Sequence, residues 1–414
     1  MKTKKIINMV ILLTILSFNI VFAQDNLQIE ATNAIAIDYD TNEIIYAKDI
    51  DTRVYPASIT KLLTALLLSE KIDENSLLTF TKTASEQPSY SYSKNVHPVK
   101  IGDQMTLKNT LDALLLYSAN DIAYMVADNV SGNSKNFEIL MNKRLKELNM
   151  LNSNFITPNG LDSNTNNHYT TTYDLTKLMK ASYDSELIRN SISKTNADVR
   201  FLDGPVAHFE NRNKLTGNNG CIGGKTGYTK KAGRCLLSIY ERDNKKIIMA
   251  VMNSKYNLPE DSIVFEDMSK LADFAYNKKQ SILYKKGEIL KTIKKEYNII
   301  PFIGPTVSID IPIFTKENIL YYDSNLDVNK KIILKDFNPW DLDDKFSLAN
   351  LNIQIRDYNK SYDLYTSVTK KDLFFKNLYI YIIALVLILA LIVFIIKFFT
   401  RNKRRNIYSN RRYY

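Results

Sequence analysis

Residues 55–68 of this 414-residue chain have the sequence YPASITKLLTALLL, in which a polar Ser-x-x-Lys element opens a long apolar run. Such a run predicts a buried helix that begins close to Ser58. Ser58 would then lie near unpaired backbone N–H groups and the positive end of the helix dipole, which favour negative charge that develops in a reaction. Lys61 follows one turn later on the same face. The stretch therefore predicts a reactive serine beside a lysine.

Two further polar signatures follow along the chain. SAN at 118–120 separates the apolar segments 114–117 and 122–126, so it predicts a polar break between helices that presents a hydroxyl and an amide to a cleft. KTG at 225–227 follows two glycines and begins a predicted strand pair, where glycine lets a substrate backbone approach closely. Ser-x-x-Lys and Ser-x-Asn recur elsewhere in the chain, whereas Lys-Thr-Gly occurs once. Together, the three signatures in this order indicate a serine acyl-enzyme that uses lysine in place of histidine.

The proposed chemistry requires a neutral lysine. Burial at the end of an apolar helix, close to another cation, lowers the pKa of a lysine side chain. An uncharged Lys61 can then accept the proton of the Ser58 hydroxyl.

With these motifs, the sequence resembles the penicillin-binding serine enzymes, and among them the low-molecular-weight D-alanyl-D-alanine carboxypeptidases. The likeness continues at 154–162, at 170–175 and from 227 to 233, and it covers 33–278 well. It implies an enzyme that removes the terminal D-alanine from peptidoglycan stem pentapeptides through a Ser58 acyl-enzyme and is inhibited by β-lactams. It implies no cofactor and no metal.

The resemblance also implies roles for three catalytic residues. Ser58 would be the nucleophile that attacks the peptide bond between the two terminal D-alanines. Lys61 would be its general base. Ser118 would relay a proton towards the leaving D-alanine.

Five further residues would bind the substrate. Asn120 would hydrogen-bond its acyl side, and Lys225 with Thr226 would hold its terminal carboxylate through a charge-assisted pair. Gly227 would give the substrate backbone access to the strand. The backbone N–H groups of the nucleophile and of Tyr228 would form the oxyanion hole.

Two alternatives to this function stay open. A serine β-lactamase shares the three signatures, and a class A enzyme would need a glutamate between the second and third of them. Glu147 is the candidate, although its charged, helical surroundings favour a surface role. The other alternative is a catalytically idle wall-binding scaffold.

The chain has three histidines, none of them in a Gly-x-Ser-x-Gly or His-Glu-x-x-His setting, and His168 is interpreted as a structural or rim residue.

Cys221 and Cys235 are the only cysteines, and they flank Lys-Thr-Gly on segments predicted as neighbouring strands. In an exported protein an even number of cysteines permits a disulfide. Buried free thiols are also ordinary in β-like segments and are the favoured interpretation. Both possibilities stay open at this point.

The predicted fold class is α+β. A β-lactamase/transpeptidase-like domain would combine an antiparallel sheet, built from both of its ends, with helices and a helical insertion. A small β-rich domain and a C-terminal transmembrane helix would follow. The predicted segments are a signal peptide (1–23), the penicillin-binding serine carboxypeptidase domain (24–278), the β-rich membrane-proximal domain (279–365), a linker (366–376), the transmembrane helix (377–399) and a basic cytoplasmic tail (400–414).

The two ends of the chain predict its location. Residues 1–23 combine early lysines, an apolar core and a small residue before Gln24, which is typical of a secretory signal. Residues 378–396 are continuously apolar and are followed by a basic tail, which the positive-inside rule places in the cytoplasm. We therefore expect a single-pass protein of the cell membrane with its catalytic domain outside and membrane lipid as a partner.

Charge supports the same topology. The formal net charge is +11, and without the basic residues of the signal and tail about +1 remains. The high net charge thus reflects membrane topology, and no nucleic-acid partner is predicted. The sequence leaves the oligomeric state open.

Overall fold

The computed structural model describes residues 27–162, 165–301 and 303–409, with side chains as far as Arg401. The predicted signal peptide, 1–23, lies outside the described residues, as do the last five residues of the predicted tail, 410–414. The chain forms two compact units, one ending at Lys279 and the other beginning at Gln280.

Unit 1 is built around a five-stranded antiparallel sheet with the order β2-β1-β11-β10-β9, accompanied by short strand pairs. Its strands are β1 (Asn33–Asp38), β2 (Ile44–Lys48), β3 (Arg53–Val54), β4 (Leu77–Thr79), β5 (Gln104–Thr106), β6 (Thr170–Thr171), β7 (Asn196–Val199), β8 (Ala207–Glu210), β9 (Cys221–Thr229), β10 (Gly233–Arg242) and β11 (Lys245–Ser254). Strands from both ends of the unit thus lie side by side in one sheet, as the sequence predicts.

The helices of unit 1 occupy the middle of its sequence and its end. They are α1 (Lys61–Lys71), α2 (Lys82–Ser85), α3 (Tyr92–Asn95), α4 (Leu107–Asp112), α5 (Asn120–Ser131), α6 (Ser134–Glu147), α7 (Thr172–Asp184), α8 (Glu186–Ile192) and α9 (Ile263–Asn277). Both α7 and α9 pack on β10 and β11. The central residues of these two strands are continuously buried, so their apolar runs do not alternate with polar residues.

Local sequence accounts for the central hairpin. β10 and β11 are joined by Asp243 and Asn244, whose φ angles are 50° and 60°. Two consecutive residues in the left-handed region form the type I′ turn that matches the twist of an antiparallel pair, and Asp and Asn tolerate it better than most residues. This turn fixes the register between β10 and β11, and therefore the position of β9 beside β10.

One buried carboxylate fastens the start of the described chain to the end of unit 1. Asp267 of α9 is 1% exposed and accepts hydrogen bonds from the backbone N–H groups of Glu30 and Ala31, both at 2.8 Å. The hydroxyl of Ser254, at the end of β11, donates a third hydrogen bond at 2.6 Å. These bonds satisfy the carboxylate away from water and hold the chain just before β1 against α9.

Unit 2 is β-rich and ends in two helices. Its elements are β12 (Ser281–Tyr284), β13 (Ile289–Ile300), β14 (Ile303–Phe314), β15 (Ile319–Tyr321), β16 (Asn329–Leu334), β17 (Ala349–Ile355), β18 (Tyr358–Leu364), α10 (Lys370–Lys376) and α11 (Leu378–Ser409). β13 pairs with β14, β12 pairs with β15, and the other three strands form the sheet β16-β17-β18. The core contains Ile311, Ile313, Ile353 and Leu364.

The segment before the apolar helix is itself structured. Thr369 and Asp372 form a capping box at the start of α10, and Leu373 of this helix is fully buried in the core of unit 2. Helix α11 follows, and its portion Leu378–Arg401 is long and apolar enough to anchor the chain in a membrane.

We predict that Asp267→Ala lowers the free energy of unfolding by about 2–3 kcal/mol, because it leaves buried donors without an acceptor. The control is Asp273→Ala on the same helix, where a 66% exposed carboxylate pairs with Arg242. Its loss should cost less than about 1 kcal/mol. Urea unfolding of the full chain in detergent measures both values, and equal losses would contradict the anchoring role of Asp267.

Candidate active site

Ser58 lies on a 3-10 turn, Ala57–Thr60, that immediately precedes α1. The sequence predicts Ser58 at the start of the helix, and the structure places it within this tighter turn, directly before the α-helical segment. Ala57 has a φ of 48°, which is uncommon for a residue with a Cβ atom. Ser58 itself is partly exposed, whereas Ala57 and Ile59 on either side are fully buried.

A glycine allows the neighbouring loop to press on this turn. Gly160 has a φ of 84°, and a Cβ atom added to it would stand 1.8 Å from the carbonyl oxygen of Ala57. Only a residue without a side chain fits this contact. The close approach brings the backbone of Asn159 to the lysine that follows Ser58 by one turn.

Lys61 is fully buried beneath Ser58. Its Nζ atom lies 2.9 Å from Ser58 Oγ, 3.0 Å from Asn120 Oδ1 and 2.8 Å from the carbonyl oxygen of Asn159. The amide of Asn120 is oriented by its Nδ2 group, which donates to the carbonyl oxygen of Ser89 at 3.0 Å. The nucleophile candidate and the base candidate are thus within hydrogen-bond distance of each other.

Ser118 stands at a break between helices, as the sequence predicts. The chain winds into a π-helical turn, Ala113–Tyr117, and Ser118 then adopts a left-handed conformation with a φ of 70°. Asn120 begins α5 directly afterwards. Ser118 and Asn120 are each only 4% exposed, so the break places two polar side chains inside the site rather than on the surface.

Strand β9 forms the opposite wall. Lys225 is 1% exposed, and its Nζ atom donates to Ser118 Oγ at 3.0 Å. A Cβ atom added to Gly227 would meet Pro56 O at 3.0 Å and Ser58 N at 3.3 Å, so the strand backbone runs directly alongside the serine turn. Thr226 is 4% exposed, while Tyr228 is 43% exposed at the rim and packs on the ring of Tyr256.

Burial dominates the electrostatics of the two lysines. It lowers the pKa of Lys61 well below the usual value, and the positive charge of Arg212 lowers it further. Burial also lowers the pKa of Lys225, with additional contributions from Lys61 and Arg212. The guanidinium carbon of Arg212 lies 5.1 Å from the centre of the Tyr90 ring and 4.8 Å from that of Tyr117. A cation held between aromatic rings thus faces the lysines.

His168 contacts the last residue of the serine turn, Thr60. It is fully buried, its Nε2 atom lies 2.9 Å from Thr60 Oγ1, and its Nδ1 atom accepts a hydrogen bond from Ile156 N at 3.0 Å. Burial lowers the pKa of His168 to about 3, so the ring is neutral at physiological pH. With Nδ1 as acceptor, the ring N–H is on Nε2 and is directed at Thr60.

The structure therefore brings the three sequence signatures into contact with one another at a single site. Sequence reasoning missed two contributors, the carbonyl oxygen of Asn159 and the side chain of Arg212. The Pro-Asn-Gly turn at 158–160 was a signal for the first, because glycine often marks a close backbone approach. No pattern in the sequence marks Arg212, which reaches the site only through the packing of Tyr90 and Tyr117.

Two open questions from the sequence have structural answers. Glu147, the candidate for the β-lactamase alternative, lies on the surface at the end of α6 and pairs with Arg144 at 3.1 Å. Cys221 and Cys235 are buried free thiols, opposite Tyr240 and Gly227 in the strand register, and so are not neighbours. Burial raises the pKa of both thiols, that of Cys235 to about 12, so neither cysteine is a reactive thiolate.

Similar proteins of known structure share this fold. A penicillin-binding protein of Listeria monocytogenes, solved in its ampicillin-bound form, is 27% identical with a TM-score of 0.53, covering 61% of this chain and 100% of that one. A variant of a Streptomyces DD-transpeptidase is 25% identical with a TM-score of 0.54, covering 61% of this chain and 99% of its own. The fold and site thus define a serine enzyme of the penicillin-binding class.

Sequence comparison gives the family. The D-alanyl-D-alanine carboxypeptidase family (peptidase S11) matches residues 20–256. The carboxypeptidase DacF of Bacillus subtilis is 30% identical over 83% of this chain and 82% of its own length. A D-alanyl-D-alanine endopeptidase of Escherichia coli is 31% identical over 55% of this chain and 72% of its own. The chain belongs to the D-alanyl-D-alanine carboxypeptidase family, which confirms the predicted family, fold class and serine-hydrolase activity.

We predict that Gly160→Ala slows acylation by a fluorescent penicillin at least tenfold, because the new methyl group would push the serine turn away from Lys61. Gly132→Ala is the matched control, since Gly132 has a similar φ of 82° but nothing within 4 Å of an added Cβ. Both variants carry the same backbone strain of about 1 kcal/mol. Comparable slowing in both would show that strain alone, and not displacement of the turn, causes the defect.

We also predict a pH dependence of stability from His168. Folding lowers its pKa from 6.5 to about 3, so on acidification the unfolded chain binds a proton that the folded chain does not. The free energy of unfolding should fall by up to about 1.4 kcal/mol per pH unit between pH 6 and 5. The His168→Gln variant should be less stable than wild type at pH 7, but its free energy of unfolding should fall less on acidification. An unchanged slope in His168→Gln would contradict this origin.

Proposed function

We propose that this chain removes the terminal D-alanine from peptidoglycan stem pentapeptides that end in D-Ala-D-Ala, through an acyl-enzyme on Ser58. The observation that carries the proposal is the 2.9 Å contact between Ser58 Oγ and the Nζ atom of the buried Lys61. The family supports the reaction, and the backbone of β9 beside the serine turn supports the use of an extended peptide end.

The surroundings of Lys61 favour a role as general base. A neutral amine has two N–H groups and one lone pair. The carbonyl oxygens of Asn120 and Asn159 act only as acceptors, so they take the two N–H groups. The lone pair is then free for the Ser58 hydroxyl, which donates its proton to Lys61 as Oγ attacks the carbonyl carbon of the penultimate D-alanine.

The residues of the second and third signatures would bind the substrate and protonate the leaving group. Lys225 and Thr226 would hold the terminal carboxylate of the substrate. A charge-assisted hydrogen bond from the lysine would stabilise this contact. Ser118, in contact with Lys225, would relay a proton to the nitrogen of the departing D-alanine. Asn120 would bind the acyl side of the peptide. Each of these groups is nearly excluded from water, so its electrostatic effect on the reaction is strengthened.

The oxyanion would lie between the turn and the strand. We assign its donors as the backbone N–H groups of Ser58 and Tyr228, because the absence of a side chain on Gly227 brings these two segments together. Water would then release the acyl peptide and regenerate the serine.

β-Lactams would acylate the same serine and act as inhibitors. Their strained amide would occupy the place of the scissile bond, and their carboxylate would meet Lys225 and Thr226. Ampicillin in the similar Listeria protein supports this assignment. The surface position of Glu147 argues against a class A β-lactamase, because it leaves that glutamate without access to a deacylating water at Ser58.

We further propose that α11 crosses the cell membrane with the catalytic unit outside and the basic tail inside. The apolar portion Leu378–Arg401 supports the span, and the positive-inside rule supports the orientation. In this arrangement 24–278 is the catalytic domain, 279–365 a membrane-proximal β domain, 366–376 its connection to the span and 400–414 a cytoplasmic tail that contacts anionic lipid.

The test is release of D-alanine from a synthetic stem pentapeptide by the full chain in detergent. We expect Ser58→Ala to lower the rate by at least about 1000-fold, because the nucleophile is lost. Ser367→Ala is the control, since Ser367 begins another Ser-x-x-Lys sequence but is exposed in unit 2. Release that persists in Ser58→Ala would overturn the nucleophile assignment. Turnover of a β-lactam without release of D-alanine would favour the β-lactamase.

A further inference from the structure

The longest hairpin of unit 2 ends in an exposed apolar tip. β13 and β14 pair as far as Ile300 and Ile303, which are 47% and 71% exposed. The sequence 299–305, IIPFIGP, has no charged residue, whereas lysines and acidic residues occur along the rest of the hairpin. Exposed apolar residues grouped in this way mark a surface that binds another apolar phase or partner.

The tip is fixed to the beginning of the anchor helix. The hydroxyl of Tyr381 donates to the carbonyl oxygen of Ile299 at 2.5 Å. Asn377, just before α11, donates to the hydroxyl of Tyr297 at 2.6 Å and is itself buried. Tyr381 lies three residues into α11, which corresponds to about 4.5 Å along the helix axis. The hairpin therefore reaches the level of the first turn of the apolar helix.

Aromatic side chains surround this level of unit 2. Trp340, the single tryptophan of the chain, donates from Nε1 to the carbonyl oxygen of Asn298 at 2.8 Å. Phe374 stacks on Tyr381 with 5.2 Å between ring centres, and Phe374 and its neighbour Phe375 are 45% and 66% exposed. Tryptophan and tyrosine are enriched where a membrane meets water, because their rings are apolar and their N–H or O–H groups are polar.

We propose that the hairpin tip, Ile300 with Ile303, inserts into the interfacial region of the lipid bilayer beside α11, so that unit 2 contacts the membrane at two places. This inference rests on the proposed membrane anchor. The partner is lipid because the hairpin contacts the first turn of α11 through Tyr381 and Ile299. Under the proposed anchor, that turn is where the helix enters the bilayer. The second contact would restrict tilting of unit 2 about the helix.

The test measures the depth of fluorescent labels in the full chain reconstituted into phosphatidylcholine–phosphatidylglycerol vesicles. A polarity-sensitive dye is attached to Ile303→Cys, to Ile289→Cys at the opposite end of β13, where the isoleucine is 59% exposed, or to Leu385→Cys within the span. Cys221 and Cys235 are buried, and unmodified protein gives their background labelling. Quenching by nitroxide-bearing lipids is compared with quenching by aqueous iodide.

We expect the dyes at 303 and 385 to emit at shorter wavelength and to be quenched by nitroxide lipids, and the dye at 289 to be quenched by iodide. Iodide quenching at 303 equal to that at 289, with 385 still in lipid, would overturn the tip contact while leaving the anchor intact. A dye at 303 shielded from both quenchers would indicate a contact with a second copy and would also overturn it. An aqueous dye at 385 would overturn the anchor and the inference with it.

Discussion

The burial of Lys61 without a carboxylate partner is the constraint on which the site depends. An ammonium group out of water needs an opposite charge, and a buried ion pair would keep the lysine charged. The carboxylate whose charge acts on Lys61 is that of Asp121, and it accepts hydrogen bonds from the backbone N–H groups of Tyr92 and Ser93, each at 2.8 Å. Lys61 is instead surrounded by neutral acceptors and by the positive charge of Arg212. The fold thus stabilises the uncharged amine, the form that can accept a proton.

The same arrangement explains why a second buried lysine is compatible with the first. Lys225 contacts neutral oxygens, Ser118 Oγ and the carbonyl oxygen of Thr226, and burial, together with the positive charge of Arg212, lowers its pKa. A substrate carboxylate arriving beside Lys225 would favour its charged form, because an opposite charge raises the pKa of an amine. Under the proposed mechanism, the site would therefore acquire its full positive charge only when the anionic end of the peptide is in place.

Much of this could be predicted from the sequence, because the relevant signals are local. The apolar run after Ser58, the polar break at Ser118 and the glycines around Lys225 each specify a backbone feature through a few adjacent residues. The carbonyl oxygen of Asn159 is different, because any residue supplies a carbonyl and its contact with Lys61 joins residues 98 positions apart. Arg212 likewise acquires its place only when Tyr90 and Tyr117 pack around it. In unit 2, alternating β-forming residues predict strands, but they do not say which strands pair.

Backbone strain at the site shows how strongly tertiary packing controls it. Ala57, next to the candidate nucleophile, and Ser118 both adopt left-handed conformations, with φ angles of 48° and 70°. Each such residue costs of order 1–3 kcal/mol and persists only where the surroundings over-determine it. Here those surroundings are the contact of Gly160 with Ala57 and the π-helical turn before Ser118. Because the strain is built into the folded state, the hydroxyl groups of Ser58 and Ser118 are already beside their lysines before any substrate binds. Reorganisation on binding, which would otherwise add to the reaction barrier, is thereby reduced.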